Sequence, residues 1–389
     1  MTKLKEFALN ALKKPLNGVH TKLRLKKLSN VNAGAMFLIF ASAVVLNIQP
    51  SGAFAAGTSG NSSVTTAASY SKSVNIPPRL QWEANFGYCG EVAMISAGLY
   101  FGQYVSQFDA RKIASKNANQ STEGSQLLLG VNDAYAAAQM HLSAKEWKGG
   151  TQPNANNFLA WVKQNVVSGI PVMIGVYDNQ FLLEGSTNPL AGDAEYDHIV
   201  PVTGISSTHP LGGPSTYFTA DLFTFSDNGL WSPTGVPAYF YQYPAGTFQA
   251  SRTAANSQSG PIYSLAKRGN NYGIAITGII DRDGKALPVR VATSSNFEMP
   301  AMQEGSNKRP APQTLTLTVT VSGLQPSLTY NLYRYNNFQS VPNTGFNANA
   351  SKASKKWQVS INSGSTYSVT ENISSDEIAV YRAVPTTAP

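Results

Sequence analysis

"ANFGYCGEVAMISAGLY", residues 84–100, holds the single cysteine of a 389-residue chain. From Gly90 onward Val92, Ile95 and Leu99 recur at helical spacing, which puts Cys89 in the first turn of a buried helix. The partial positive charge at a helix N-terminus lowers the pKa of a thiol there, and the thiolate is the nucleophilic form. Gly87 and Gly90 bracket the cysteine, and glycines so placed let a substrate backbone approach closely. The plainer reading is a small buried side chain that caps a core helix, since free cysteine is among the most buried residue types. The residues elsewhere in the chain decide between the two.

A thiol nucleophile needs a base. Of four histidines, His20 lies in a basic leader, His141 in a helical stretch and His209 in a Gly/Pro loop. His198 opens the β-branched run "HIVPVTGIS", and a base that must hold one orientation belongs on rigid structure. His198 is therefore the candidate base, and His141 and His209 read as surface or packing residues. The next strand, in "DLFTFSDNGLW", ends in Asp227 and Asn228, either of which could accept the imidazole N–H and fix its tautomer. Alternation along a strand does not choose between neighbours that point to opposite faces.

Further out, helical patterns run through "FDARKIASK", "GSQLLLGVNDAYAAAQM" and "NANNFLAWVKQNVVSG". Short β runs follow at 170–178, 198–206, 222–227 and 272–281. A helical half followed by an antiparallel sheet predicts an α+β domain over 77–283. Beyond it "LPVRVAT", "TLTLTVTVSGL", "LTYNLYRYN", "KWQVSI", "TYSVT" and "IAVYRAV" alternate apolar with polar residues, which predicts an all-β sandwich over 284–389. Tyr330, Tyr333, Tyr335 and Phe338 would suit a surface that binds protein or glycan, although period-two alternation sends alternate members into the core.

Net charge is +8, but residues 1–30 carry eight Lys/Arg against one acid, Glu6, which leaves 21 basic and 20 acidic residues in the remainder. A nucleic-acid role loses its main support. The basic stretch runs into "AGAMFLIFASAVVLNI" and then "GAFAAG", which reads as a secretory signal over 1–56 cut near Ala55. The apolar segment is short for a membrane span, so the only expected membrane contact is through an uncleaved leader. "GTSGNSSVTTAASYSKS" reads as a flexible linker, placed at 57–76. The expected location is secreted or extracytoplasmic, with packing in place of disulfides as the source of stability. The scattered histidines and lone cysteine make no metal-site spacing, and no P-loop signature occurs, so no metal or cofactor is expected.

Cysteine at a helix start, histidine on a strand and Asx on the next strand follow the order of roles in papain-like peptidases. Residues 77–281 resemble that superfamily, most closely the branch related to bacteriocin-leader (double-glycine) peptidases. The matching stretches are "GYCGEVAMISAGLY", "SGIPVMIGVY", "DHIVPVTGIS" and "LFTFSDNG". The resemblance implies a peptide or protein substrate, attack on its carbonyl by Cys89, proton shuttling by His198 and orientation by Asp227, with Asn228 as the substitute. It also implies a glutamine before the cysteine that stabilises the oxyanion. The usual position, six before, holds Glu83, whose charge would repel that oxyanion, so Gln81 is the candidate, ahead of Asn85. Glu91, two after the cysteine, suits the helix dipole but would raise the thiol pKa if it faced the sulfur. "YNLYRYN" is similar to strands of fibronectin type III-like or carbohydrate-binding sandwiches. A thiol acyltransferase would use the same residues, and a non-catalytic surface protein on a papain-like scaffold is the reading that Glu83 favours.

Overall fold

The helix that begins at Cys89 is the centre of the fold. In the computed structural model, which describes residues 69–150, 153–212, 217–231 and 234–386, α1 spans Cys89–Tyr100 and every residue from Gly90 to Leu99 is buried. The stripe expected at Val92, Ile95 and Leu99 is part of a helix enclosed on all sides, which is why its composition is apolar all round. The leader at 1–56 and the first part of the expected linker lie outside the described residues.

In chain order the first strands and helices are β1 (Tyr70–Ser73), α1, β2 (Gln103–Tyr104), α2 (Gln107–Ser115), α3 (Asp133–Gln139), β3 (Leu142–Glu146) and α4 (Ala155–Val167). Then come β4 (Val172–Asp178), β5 (His198–Ser207), β6 (Leu222–Ser226), β7 (Phe240–Pro244), β8 (Gln249–Ala250), β9 (Tyr263–Ala266) and β10 (Gly273–Ile279). These strands, except β2, form one sheet in the order β3-β10-β4-β5-β6-β7, with β1 on β5, β9 on β4 and β8 on β9. The α+β expectation is met, with helices and antiparallel strands in one unit. The helical pattern read across 124–140 condenses to the single short helix α3, preceded by a 3₁₀ turn at Glu123–Ser125.

Tyr70–Ser73 falls inside the expected linker, yet it is an edge strand whose four residues pair with Ser207 to Gly204 of β5. Its side chains are all exposed, so backbone pairing holds it and composition could not reveal it.

The C-terminal strands are β11 (Val289–Thr293), β12 (Thr314–Ser322), β13 (Thr329–Tyr335), β14 (Lys355–Ser360), β15 (Thr366–Ser374) and β16 (Ala379–Pro385). They make two sheets, β11-β12-β15 and β14-β13-β16-β2, whose apolar faces meet in a sandwich-like arrangement. Strand β2 comes from the turn after α1, and pairs Gln103 with Val380 and Tyr104 with Ala379. One continuous core contains Met94 and Leu99 of α1 together with Leu317, Leu332 and Tyr381. The described residues from 69 onward fall in one compact unit, and packing runs across position 284 without a break. Tyr330, Tyr333, Tyr335 and Phe338 are all in that core, so none of the four is presented on a surface.

Candidate functional site

Three consecutive residues in left-handed backbone, Asn85, Phe86 and Gly87, with φ of 54°, 69° and 76°, bring the chain to Cys89. Two of these are not glycine, and such strain persists only where the surroundings over-determine it. Asn85 is held by Glu304, Gly305 and Ser306, with its N–H donating to Glu304 Oε2 at 2.9 Å, and the rest of the turn by Arg111 of α2. Its Nη1 donates to the carbonyls of Asn85 (2.9 Å) and Gln120 (3.1 Å), its Nη2 donates to the carbonyl of Gly87, and its guanidinium lies 3.5 Å over the Tyr88 ring. Arg111 Nε also donates to Glu91 at 2.7 Å, an ion pair with both side chains almost fully buried. Glu91 in turn accepts from the Leu127 N–H at 3.0 Å. The acid next to the cysteine thus fastens the loop that presents it.

Gly90 serves a purpose other than the one expected. A Cβ there would stand 2.1 Å from the Leu127 carbonyl oxygen and 3.1 Å from Ile199 Cδ1, so the protein's own chain fills the space, not a substrate. At Gly87 the neighbour is the Gln81 amide, 3.6 Å from the would-be Cβ.

Cys89 is partly buried at the start of α1, against β5. Burial pushes its thiol up to about 12, and the Glu91 charge adds to the rise. The backbone N–H groups of Ile199 and Gly90 and the Arg111 charge work the other way. The helix terminus does not win, because desolvation of the sulfur outweighs it.

His198, first residue of β5, is 7% exposed. Burial lowers its pKa, opposed by the charges of Asp227 and then Asp197. Its Nε2 is buried without a hydrogen-bond partner among the described residues, and so is Asp227 Oδ2. The other Asp227 oxygen, Oδ1, accepts from the N–H groups of Gly229 (2.7 Å) and Leu230 (2.8 Å), which fixes the carboxylate at the end of β6. Among the described residues no hydrogen bond joins the Cys89 sulfur to the imidazole.

Asn228 does something different from its neighbour. Its Nδ2 donates to the Cys89 carbonyl and to the Ile199 carbonyl, each at 3.0 Å. It therefore ties the first residue of α1 to the strand that carries His198, while Asp227 bears on the imidazole by charge. The Asn228 carbonyl also accepts from the Gln81 N–H at 2.7 Å, which brings Gln81 to the same place. Gln81 Nε2 is 3.4 Å from both Glu83 oxygens and 3.0 Å from the would-be Cβ of Gly229, from which His198 Cε1 is 3.4 Å. Desolvation raises the Glu83 pKa, with Asp227 and Glu184 adding to it against the Gln81 hydrogen bond.

Two residues of this site have no signature in the sequence. Tyr263 of β9 stacks on His198, with ring centroids 5.4 Å apart and planes at 25°, and the Asp227 charge joins burial in raising its hydroxyl well above the usual range. Tyr196 packs against Gly175 and donates through its hydroxyl to the Leu129 carbonyl at 3.1 Å. The only available signal for either was an aromatic residue near a strand. His209 stacks on Phe218 in its loop at 3.7 Å, and His141 is buried rather than on the surface, 5% exposed.

Among the described residues no group of three or more His, Cys, Asp or Glu side chains is placed to hold a metal ion. No described helix is long and apolar enough to cross a membrane. No family model, curated protein or solved structure matches the chain.

Proposed function

We propose that this chain is an exported papain-like cysteine peptidase in which Cys89 attacks the carbonyl of a protein or peptide substrate. The observation that carries the reading is the turn at 227–228. From adjacent positions, the Asp227 charge acts on His198 and Asn228 clamps the Cys89 carbonyl to β5, the strand that opens with His198, which supports reading the three as nucleophile, base and orienter.

With the thiol high and the imidazole low, both are neutral at pH 7, and the chemistry is general-base attack rather than attack by a preformed thiolate. His198 takes the thiol proton as sulfur bonds to the carbonyl carbon. It returns that proton to the leaving amine, and water then hydrolyses the thioester. Asp227 steadies the imidazolium that forms, and Gln81 is the side-chain donor to the oxyanion. Transfer to an amine or alcohol in place of water would make the same site an acyltransferase.

The rival reading, a non-catalytic surface protein, is favoured by the raised thiol and by the engagement of Gln81 with Glu83. Alkylation of Cys89 across pH, in the wild type and in His198→Ala, separates the two. A rate that follows His198 deprotonation and drops in the variant supports the peptidase, and a rate indifferent to His198 supports the scaffold. Hydrolysis of a peptide library by the same two proteins gives the substrate class.

A further inference from the structure

Gln81 stands in "PPRLQW", residues 77–82, outside the named strands, so no sheet ladder sets the direction of its side chain. The backbone groups of this stretch need other partners, since buried ones rarely go without. The Gln81 N–H meets the Asn228 carbonyl. The residues on either flank of Gln81 both meet one side chain, that of Gln107, the first residue of α2 and 0% exposed. Gln107 Oε1 accepts from the Trp82 N–H at 2.9 Å, and its Nε2 donates to the Leu80 carbonyl at 3.3 Å. A single carboxamide, with one acceptor and a donor, thus does for Leu80 and Trp82 what a paired strand would do.

Gln107 is itself anchored. Its backbone N–H, one of those that a helix start leaves without an intrahelical partner, donates to Glu298 Oε2 at 2.9 Å. Glu298 is 3% exposed and lies in the connection between β11 and β12. Its carbonyl accepts from Trp82 Nε1 at 2.8 Å, and the Asn296 carbonyl accepts from the Leu80 N–H at 2.8 Å. One connection from the C-terminal sheets therefore holds both Gln107 and the stretch that Gln107 clamps.

We propose that Gln107 is a positioning residue, which sets the place of the Gln81 carboxamide through Leu80 and Trp82; this rests on the reading of Gln81 as the oxyanion donor. Gln107 acts through Gln81 and not on the reacting atoms. Its Oε1 faces an N–H and its Nε2 a carbonyl, so a replacement that lacks either end leaves one flank of Gln81 unpaired.

The test compares two reagents on the full chain, whose only thiol is Cys89. With p-nitrophenyl acetate the sulfur bonds to the acetyl carbon through an oxyanion, p-nitrophenolate leaves, and the thiol proton passes to His198. Iodoacetamide alkylates the same sulfur by displacing iodide and forms no oxyanion. Gln107→Met is expected to slow acylation by about 10²-fold, the scale of a small misplacement, and to leave alkylation unchanged. In a Gln81→Ala background it is expected to add nothing. Gln107→Glu, of the same shape, keeps the acceptor for Trp82 and, ionised, loses the donor to Leu80, so its acylation rate should fall between. Equal slowing of both reagents in both variants, losses that add to that of Gln81→Ala, or wild-type acylation in both variants while Gln81→Ala is slowed overturns the proposal. A wild type that acylates no faster than Cys89→Ser, or a Gln81→Ala that acylates like the wild type, overturns instead the reading of the site, and the proposal with it.

Discussion

The Tyr263 ring lies against the His198 imidazole, 5.4 Å between centroids and 25° from parallel, while the Asp227 charge acts on both. The base is thus held on one side by a ring and influenced by a carboxylate, and neither support comes from its own strand. Tyr263→Ala is expected to lower the His198-dependent alkylation rate of Cys89 by about 10²-fold, the scale of a small misplacement of a catalytic group. Tyr263→Phe, which keeps the stack, is expected to retain most of it. Equal losses in the two variants would assign the role to the hydroxyl.

Asp227→Asn keeps an oxygen to accept from Gly229 and Leu230 but removes the charge that raises the His198 pKa. The His198 titration, followed by NMR of the ring protons, should move further down. Peptidase activity should fall by about 10²–10⁴-fold, the usual worth of positioned general-base catalysis. Asn228→Ala should instead loosen the join of α1 to β5, seen as lost thermal stability.

Gln81→Ala is expected to reduce kcat by about 10²–10³-fold, the usual effect of losing one oxyanion donor. Glu83→Gln removes the carboxylate that engages the Gln81 amide and should raise kcat. Unchanged kcat in both variants would place the oxyanion elsewhere.

The Glu91–Arg111 pair is buried on both sides, so Arg111→Met strands a carboxylate beside Cys89 and frees the carbonyls of Asn85 and Gly87. Chemical denaturation should show a loss of about 3–5 kcal/mol, as is typical for removing one partner of a buried pair. The double variant Glu91→Gln/Arg111→Met should recover part of it.

The thiol also sets a pH dependence. Its folded pKa of about 12 lies above that of an unfolded cysteine, so above pH about 8.5 the unfolded state has lost a proton that the folded state keeps. Cys89 therefore contributes a decline in stability from pH about 8.5 towards about 12. In Cys89→Ser, denaturation midpoints should decline less over that window than in the wild type.

Much of this was legible in the sequence because it is local. The position of Cys89 at a helix start, of His198 at the first residue of a strand and of Asp227 and Asn228 just after the next strand follows from apolar periodicity and turn residues. The β-branched alternation from Leu315 to Val321 likewise announced a half-buried strand. Tertiary structure alone decided the rest. It divided Asp227 from Asn228 in role, because the direction of a side chain at a strand end depends on what packs there. It gave Glu91, whose charge still raises the thiol, a second role as the anchor of Arg111, brought Tyr263 onto His198 across 65 residues, and paired β2 with β16 into a shared core. These are contacts between residues far apart in sequence. Periodicity reports which face of an element is apolar, but not which distant group will meet it, and desolvation, which here overrides the helix terminus at Cys89, exists only once the chain has closed around the sulfur.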